Sequence, residues 1–171
     1  SIEKAITDKT RAILLVHLIG NPCKMEEIME IAEKHELFVI EDSCEAHGAE
    51  VGGKKVGSFG DVSTFSFFFS HHITTIEGGM VMANDDKYAE LARAMRAFGW
   101  IRDIKNKDEF TNRYKHIDPR VLFINLGFNI RPTEINAAFG IHQLSKIEDL
   151  IKFKSENAEY WNKRLEQYSD W

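Results

Sequence analysis

The chain has 171 residues, 43% hydrophobic and 29% charged, with 27 Asp and Glu against 22 Lys and Arg for a net charge of -5. That is enough chain for one domain with a sizeable core, and the acidic balance, with no dense basic stripe, argues against a nucleic-acid surface. No apolar run approaches the roughly 20 residues that cross a bilayer, so a membrane partner is not expected. No signal-peptide pattern opens the chain. The two cysteines, Cys23 and Cys44, are too few for a disulfide framework, and a reducing cytoplasm is the expected location.

Residues 12–18 form an apolar run that reads as a buried strand, broken by Gly20-Asn21-Pro22. Met25, Ile28, Met29 and Ala32 then recur at helical spacing. Residues 37–40 read as a second strand, running into Glu41-Asp42. Gly52-Gly53 and residues 57–61 are turn formers. Residues 63–69 read as a third strand and 79–83 as a fourth, entered through a tight turn at Gly78-Gly79. Tyr88, Leu91, Ala92 and Met95 mark an amphipathic helix that stops near Gly99. Residues 101–120 are polar, without a sustained period, and read as a long loop. A helix over about 133–147 follows Arg131-Pro132, and a last one runs from about 148 towards 168. Strands alternating with helices imply an α/β sheet, at least partly parallel. Ligands of such sheets sit at the carboxyl ends of strands, where Asp42 and His71 both fall.

Several residues could carry chemistry there. A carboxylate after a buried strand, such as Asp42, can be a cap, a turn former or a functional acid. Glu45 reads equally as a site acid or a solvated loop acid. The Ser66 hydroxyl can donate to an anion or bond to backbone. His71 and His72 are adjacent, so on an extended segment they point apart and chelate poorly, and the other histidines give no metal spacing with them. A proton-transfer role suits the His71 imidazole, an ionisable group with a reference pKa near neutrality. Arg102 has planar donors suited to a substrate pyrophosphate, or is a solvated loop arginine. Asn129 reads as a turn residue and Phe128 as a core aromatic.

Order and spacing together carry a resemblance. Glu41-Asp42-Ser43-Cys44-Glu45-Ala46-His47-Gly48 resembles the Glu-Asp-x-x-x-Ala-His-Gly segment of the DegT/DnrJ-type sugar aminotransferases. Residues 62–79 resemble that family's cofactor-lysine segment, where a serine is followed five residues later by the lysine that bonds covalently to pyridoxal phosphate; here His71 stands five residues after Ser66. An imidazole can move a proton but cannot make that bond. Gly127-Phe128-Asn129-Ile130-Arg131 resembles the family's Gly-Tyr-Asn-x-Arg segment.

The resemblance covers roughly residues 5–165. It implies the α/β fold of a fold-type I, aspartate-aminotransferase-like enzyme. Residues 1–171 would be the central part of its large domain, without the N-terminal segment and the C-terminal small domain of the longer family members. It assigns Asp42 to the pyridinium nitrogen, Glu45 to the ring, Ser66 to the phosphate and Asn129 to the phosphate of the other subunit in a homodimer. Histidine at the lysine position matches a 3-dehydratase branch. That branch removes the C3 hydroxyl of a nucleotide-linked 4-keto-6-deoxy sugar, with pyridoxal 5'-phosphate or pyridoxamine 5'-phosphate as cofactor, glutamate as amino donor and His71 as catalytic base. A second histidine-bearing branch holds an iron–sulfur cluster on cysteines near residues 102–115; this chain has none there, and no metal is expected. Two alternatives stay open: a nucleotide-sugar aminotransferase using a lysine from elsewhere, with Lys54 and Lys55 nearest upstream, and a non-catalytic fragment or pseudoenzyme.

Overall fold

The computed structural model describes residues 2–168. In chain order its elements are β1 (Ala12–Val16), α1 (Met25–Lys34), β2 (Phe38–Asp42), β3 (Glu50–Val51), β4 (Lys54–Lys55), β5 (Val62–Ser66), β6 (Gly79–Ala83), α2 (Asp86–Met95), α3 (Lys107–Arg113), α4 (Glu134–Leu144) and α5 (Ile147–Leu165). The main sheet has the order β1-β2-β5-β6. β1, β2 and β5 are parallel, and β6 runs antiparallel to β5. The expected part-parallel α/β sheet is therefore present.

The apolar stripe of α1 explains its position. Met25, Ile28 and Ala32 lie on one face and pack against Ile13, Leu15 and Val39 of the sheet. Strand alternation puts Ile13 and Leu15 on the covered face of β1 and leaves Leu14 65% and Val16 43% exposed on the other. β1 was expected to be buried, but within the described residues only one of its faces is. β3 and β4 form a hairpin too short for sequence patterning to mark. Its turn is Gly52-Gly53, with φ of 58° and 80°, the left-handed pair that a two-residue hairpin turn demands.

The third strand ends at Ser66, not at residue 69. The Ser66 hydroxyl accepts the Phe68 N–H at 3.2 Å, a local turn that competes with the ladder. Residues 101–120 overturn the reading of a long loop. They hold a 3-10 turn at Ile101–Asp103, α3 and a second 3-10 turn at Pro119–Val121. Ala94, Ile101, Ile104 and Leu122 form a second buried cluster, flanked by Trp100, Phe110 and Tyr114. Its apolar residues come from short irregular pieces, so no single helical or strand period reveals them.

A buried carboxylate locks the sheet to its loops. Glu41 is fully buried. It accepts the N–H of Gly57 at 2.7 Å, Phe59 at 2.8 Å and Gly60 at 2.6 Å. His17 Nε2 lies 3.2 Å from its Oε2, while His17 Nδ1 accepts the Cys23 N–H at 3.1 Å. That second bond puts the ring hydrogen on Nε2, so His17 donates to Glu41. In Glu41→Gln one acceptor oxygen becomes an NH2 that faces donors. The substitution should cost roughly 3–5 kcal/mol, the range for breaking a buried charged network. Urea denaturation measures it, and a loss under about 1 kcal/mol would show that the carboxylate does not hold this loop.

Candidate functional site

Parallel pairing brings the carboxyl ends of three strands to one edge. Asp42 pairs in register with Val16 of β1 and Thr64 of β5, and Ser66 lies two residues beyond Thr64. Because Glu41 points into the core, alternation turns Asp42 to the opposite face, where it is partly buried. Asp42 Oδ1 accepts the Cys44 N–H at 3.1 Å. The neighbouring Cys44 thiol is pushed up to about 11 by burial and then by Asp42, so it is held as a neutral thiol.

Glu45 is no free loop acid. Its Oε2 accepts the Ile19 N–H at 2.8 Å, tying the loop after β2 to the loop after β1. Ile19 has φ 57°, and Ile76 on the other flank has φ 74° with its N–H held by Thr74 Oγ1 at 2.9 Å. β-branched residues rarely adopt this left-handed backbone, so both flanks of the site hold local strain.

His71 and His72 sit on the 67–78 excursion between β5 and β6. The His71 N–H donates to the Phe68 carbonyl at 3.0 Å, and its ring lies 5.9 Å from the Phe68 ring. His72 instead faces His47, ring centroids 5.4 Å apart, so the two side chains do diverge. The Thr75 N–H closes the base of the excursion by donating to the Phe67 carbonyl at 2.9 Å. Asn136 of α4 clamps it from outside, donating to Thr75 O at 2.6 Å and Glu77 O at 3.3 Å. Thr133 and Asn136 also form the capping box that starts α4. Gly78 is required sterically, since a Cβ there would lie 2.3 Å from Thr75 Oγ1.

The other candidates lie apart. Asn129 is exposed and bridges to Ala97, with its Oδ1 accepting from Arg131 at 3.4 Å. Phe128, read as core, is 59% exposed. Its backbone is taken up by Met95 and Phe98, which fixes the segment without burying the ring. Arg102 is exposed, its guanidinium 5.2 Å from the Trp100 ring centre. Among the described residues no hydrogen bond, ion pair or ring contact joins Asn129 or Arg102 to the His71 excursion. Lys55 is held by Glu50 at 2.9 Å, and Lys54 stacks on Phe59 at 4.5 Å.

Residues 1–170 match the model of the DegT/DnrJ/EryC1/StrS aminotransferase family. The chain belongs to this family. It is 42% identical over 160 residues to GDP-4-keto-6-deoxy-D-mannose 3-dehydratase of Yersinia pseudotuberculosis, covering 92% of this chain and 40% of that one. It is 43% identical over 164 residues to GDP-perosamine synthase of Escherichia coli O157:H7, covering 96% and 41%. The solved E. coli GDP-4-keto-6-deoxy-D-mannose-3-dehydratase with bound hydrated PLP superposes with a TM-score of 0.85 at 36% identity, over 96% of this chain and 43% of that one. The chain thus spans about two fifths of the relatives it matches.

Sequence reasoning missed Glu41, His17, His47 and Asn136. The signal for Glu41 was its place inside an alternating strand, one residue from an acid of opposite facing. His47 is nearly buried, and its pKa is pushed down to about 4 by burial, then by His72, His71 and Lys154. A histidine depressed in the folded state binds its proton more readily when unfolded. Its stability contribution is therefore complete above about pH 6.5 and is lost as pH falls towards 4. The full loss is roughly 3 kcal/mol. Urea midpoints between pH 7 and 4 should fall, and His47→Phe should flatten much of that slope; equal slopes in both proteins would place the titration elsewhere.

Proposed function

We propose that this chain is the central part of the large domain of a pyridoxal-phosphate-dependent 3-dehydratase. Its substrate would be a nucleotide-linked 4-keto-6-deoxy sugar, with His71 as the proton-transferring base. The observation that carries the reading is an imidazole five residues after Ser66, at the β5 end, in a family relative of GDP-4-keto-6-deoxy-D-mannose 3-dehydratases. The apolar side chains exposed on β6 and α4, among them Met80, Val81, Met82, Ile135 and Phe139, suit faces covered by further parts of a larger enzyme.

The residues fit the cofactor. His71 Nδ1 is buried without a hydrogen-bond partner, and buried polar atoms normally have one. Asp42 commits only Oδ1 to backbone, leaving Oδ2 for a ring nitrogen. When bound, the cofactor supplies an amine for the sugar ketone and a ring that accepts electrons. Asp42 keeps the ring nitrogen protonated, which sustains that electron sink. Ser66 would hold the phosphate through its hydroxyl, and Glu45, fixed by the Ile19 N–H, would border the ring. His71 takes a proton beside the reacting carbon and can return it to the departing C3 hydroxyl. Lacking an amine, His71 leaves the cofactor held by noncovalent contacts alone. Glutamate would be the amino donor of this reading. Asn129, exposed in this chain, reaches the second subunit of a homodimer, and Arg102 meets the pyrophosphate of the nucleotide. The cytoplasm is the location this reading implies.

The similarity to GDP-perosamine synthase supports a second reading, transamination. It needs a lysine at the cofactor, and Lys154 of α5 is the one whose charge acts on His47 and His72.

Borohydride reduction of the full-length protein with pyridoxal phosphate, followed by peptide mass spectrometry, separates the two. Wild type should fix no cofactor, and His71→Lys should fix it at position 71. A wild-type adduct on Lys154, Lys54 or Lys55 would replace dehydration with transamination. Asp42→Asn should lower kcat/KM on the order of 10²- to 10³-fold, from roughly 3–4 kcal/mol of lost transition-state stabilisation. Near-normal turnover would remove Asp42 from the mechanism.

A further inference from the structure

His47 is only 8% exposed, and neither of its ring nitrogens has a hydrogen-bond partner. Its ring centre lies 5.3 Å from that of Phe65, 6.0 Å from Phe67 and 5.4 Å from His72. Two phenylalanines thus back the imidazole, and His72 stands before it. α5 packs against the neighbouring Gly48: a Cβ there would lie 2.1 Å from Ile151 Cδ1. Lys154 follows one turn later on that helix, and its charge acts on both His47 and His72.

The charged and titratable groups facing this cluster come from three elements. His71 and His72 come from the excursion after β5, Lys154 from α5 and Glu45 from the loop after β2. Burial is the first influence on both His47 and His72, and it disfavours the charged ring. Lys154 and His71 act on His72 in the same sense, and Glu45 opposes them. His72 Nδ1 is itself buried and unpartnered. A protonated His72 would set a second cation beside His71 and Lys154. It would also compete for the proton at the site.

We propose that His47 is a positioning residue for proton transfer at His71: its ring, backed by Phe65 and Phe67, covers the buried Nδ1 side of His72, so that His72 does not take the proton in place of His71. The proposal rests on the reading of His71 as the base. It makes the size of residue 47, more than its ring nitrogens, the decisive property. Alanine opens the wall to water, whereas phenylalanine keeps it shut.

The test is an NMR pH titration of histidine-labelled, cofactor-free full-length protein. In wild type, the His72 midpoint should lie below that of an ordinary imidazole, because burial disfavours the charged ring. In His47→Ala its midpoint should rise towards that of an ordinary imidazole, because water then reaches the ring. In His47→Phe it should stay where wild type has it. The pH profile of kcat/KM should gain an acid-side ionisation in His47→Ala and not in His47→Phe. An unchanged His72 midpoint in His47→Ala, or an equal rise in His47→Phe, overturns the wall. If alanine prevents folding, His47→Val opens a smaller gap and should shift the midpoint in the same direction. Wild-type His72 already protonated at pH 7 overturns the proposal without any variant. Full activity in His71→Asn sinks the base reading, and the positioning role with it, even where the midpoint shift is seen.

Discussion

A carboxylate with no water around it needs a partner for each lone pair, and Glu41 has them: three backbone N–H groups and the His17 ring. A buried charge left unpaired costs several kcal/mol, so this carboxylate dictates where its donors sit. It gathers the start of the loop after β1, the end of β2 and the 57–60 turn around one point. The turn must approach closely. Gly57 has φ 83°, and a Cβ there would lie 2.4 Å from the Phe65 ring. Phe65 in turn faces His47. One buried acid thereby sets the inner wall of the site, and strand alternation sets the outer one by turning Asp42 away from it.

The loops on that edge hold strain which other contacts maintain. Ile19 and Ile76 both take left-handed backbone, and each has its N–H captured by a side-chain oxygen, from Glu45 and from Thr74. Strained residues persist where surrounding structure over-determines them. Asn136 supplies part of that on the Ile76 side, since one amide serves Thr75, Glu77 and its own helix cap. Helix α4 and the histidine excursion are therefore one mechanical unit.

The two buried clusters divide the work. The sheet with α1 presents Asp42, Ser66 and the histidines at its carboxyl edge. The cluster around Ala94, Ile101, Ile104 and Leu122 supports the segments bearing Arg102 and Asn129. Asn129 and Phe128 are exposed because backbone bonds of Phe128 to Met95 and Phe98, and of Ile130 to Arg96, hold the strand-like segment at the surface.

Residues with local signatures were legible in the sequence. β1, α1, β2, β6, α2 and the two long helices follow from apolar period and from Gly and Pro punctuation, which depend on near neighbours alone. The serine-to-histidine spacing that sets the candidate site is likewise a property of one short segment. The folded structure of residues 101–120, the early end of β5 and the short hairpin were not legible. They depend on apolar contacts among irregular pieces, on one hydroxyl competing with a ladder, and on the loop that Glu41 draws in. The sequence by itself determined which side chains could do chemistry and at which strand ends they fall. Only the tertiary structure decided that Glu41 accepts from His17, that Glu45 bonds Ile19 and that His47 lies against His72. Those pairings join residues 24 to 26 positions apart, and burial and hydrogen-bond satisfaction, acting across space, select them.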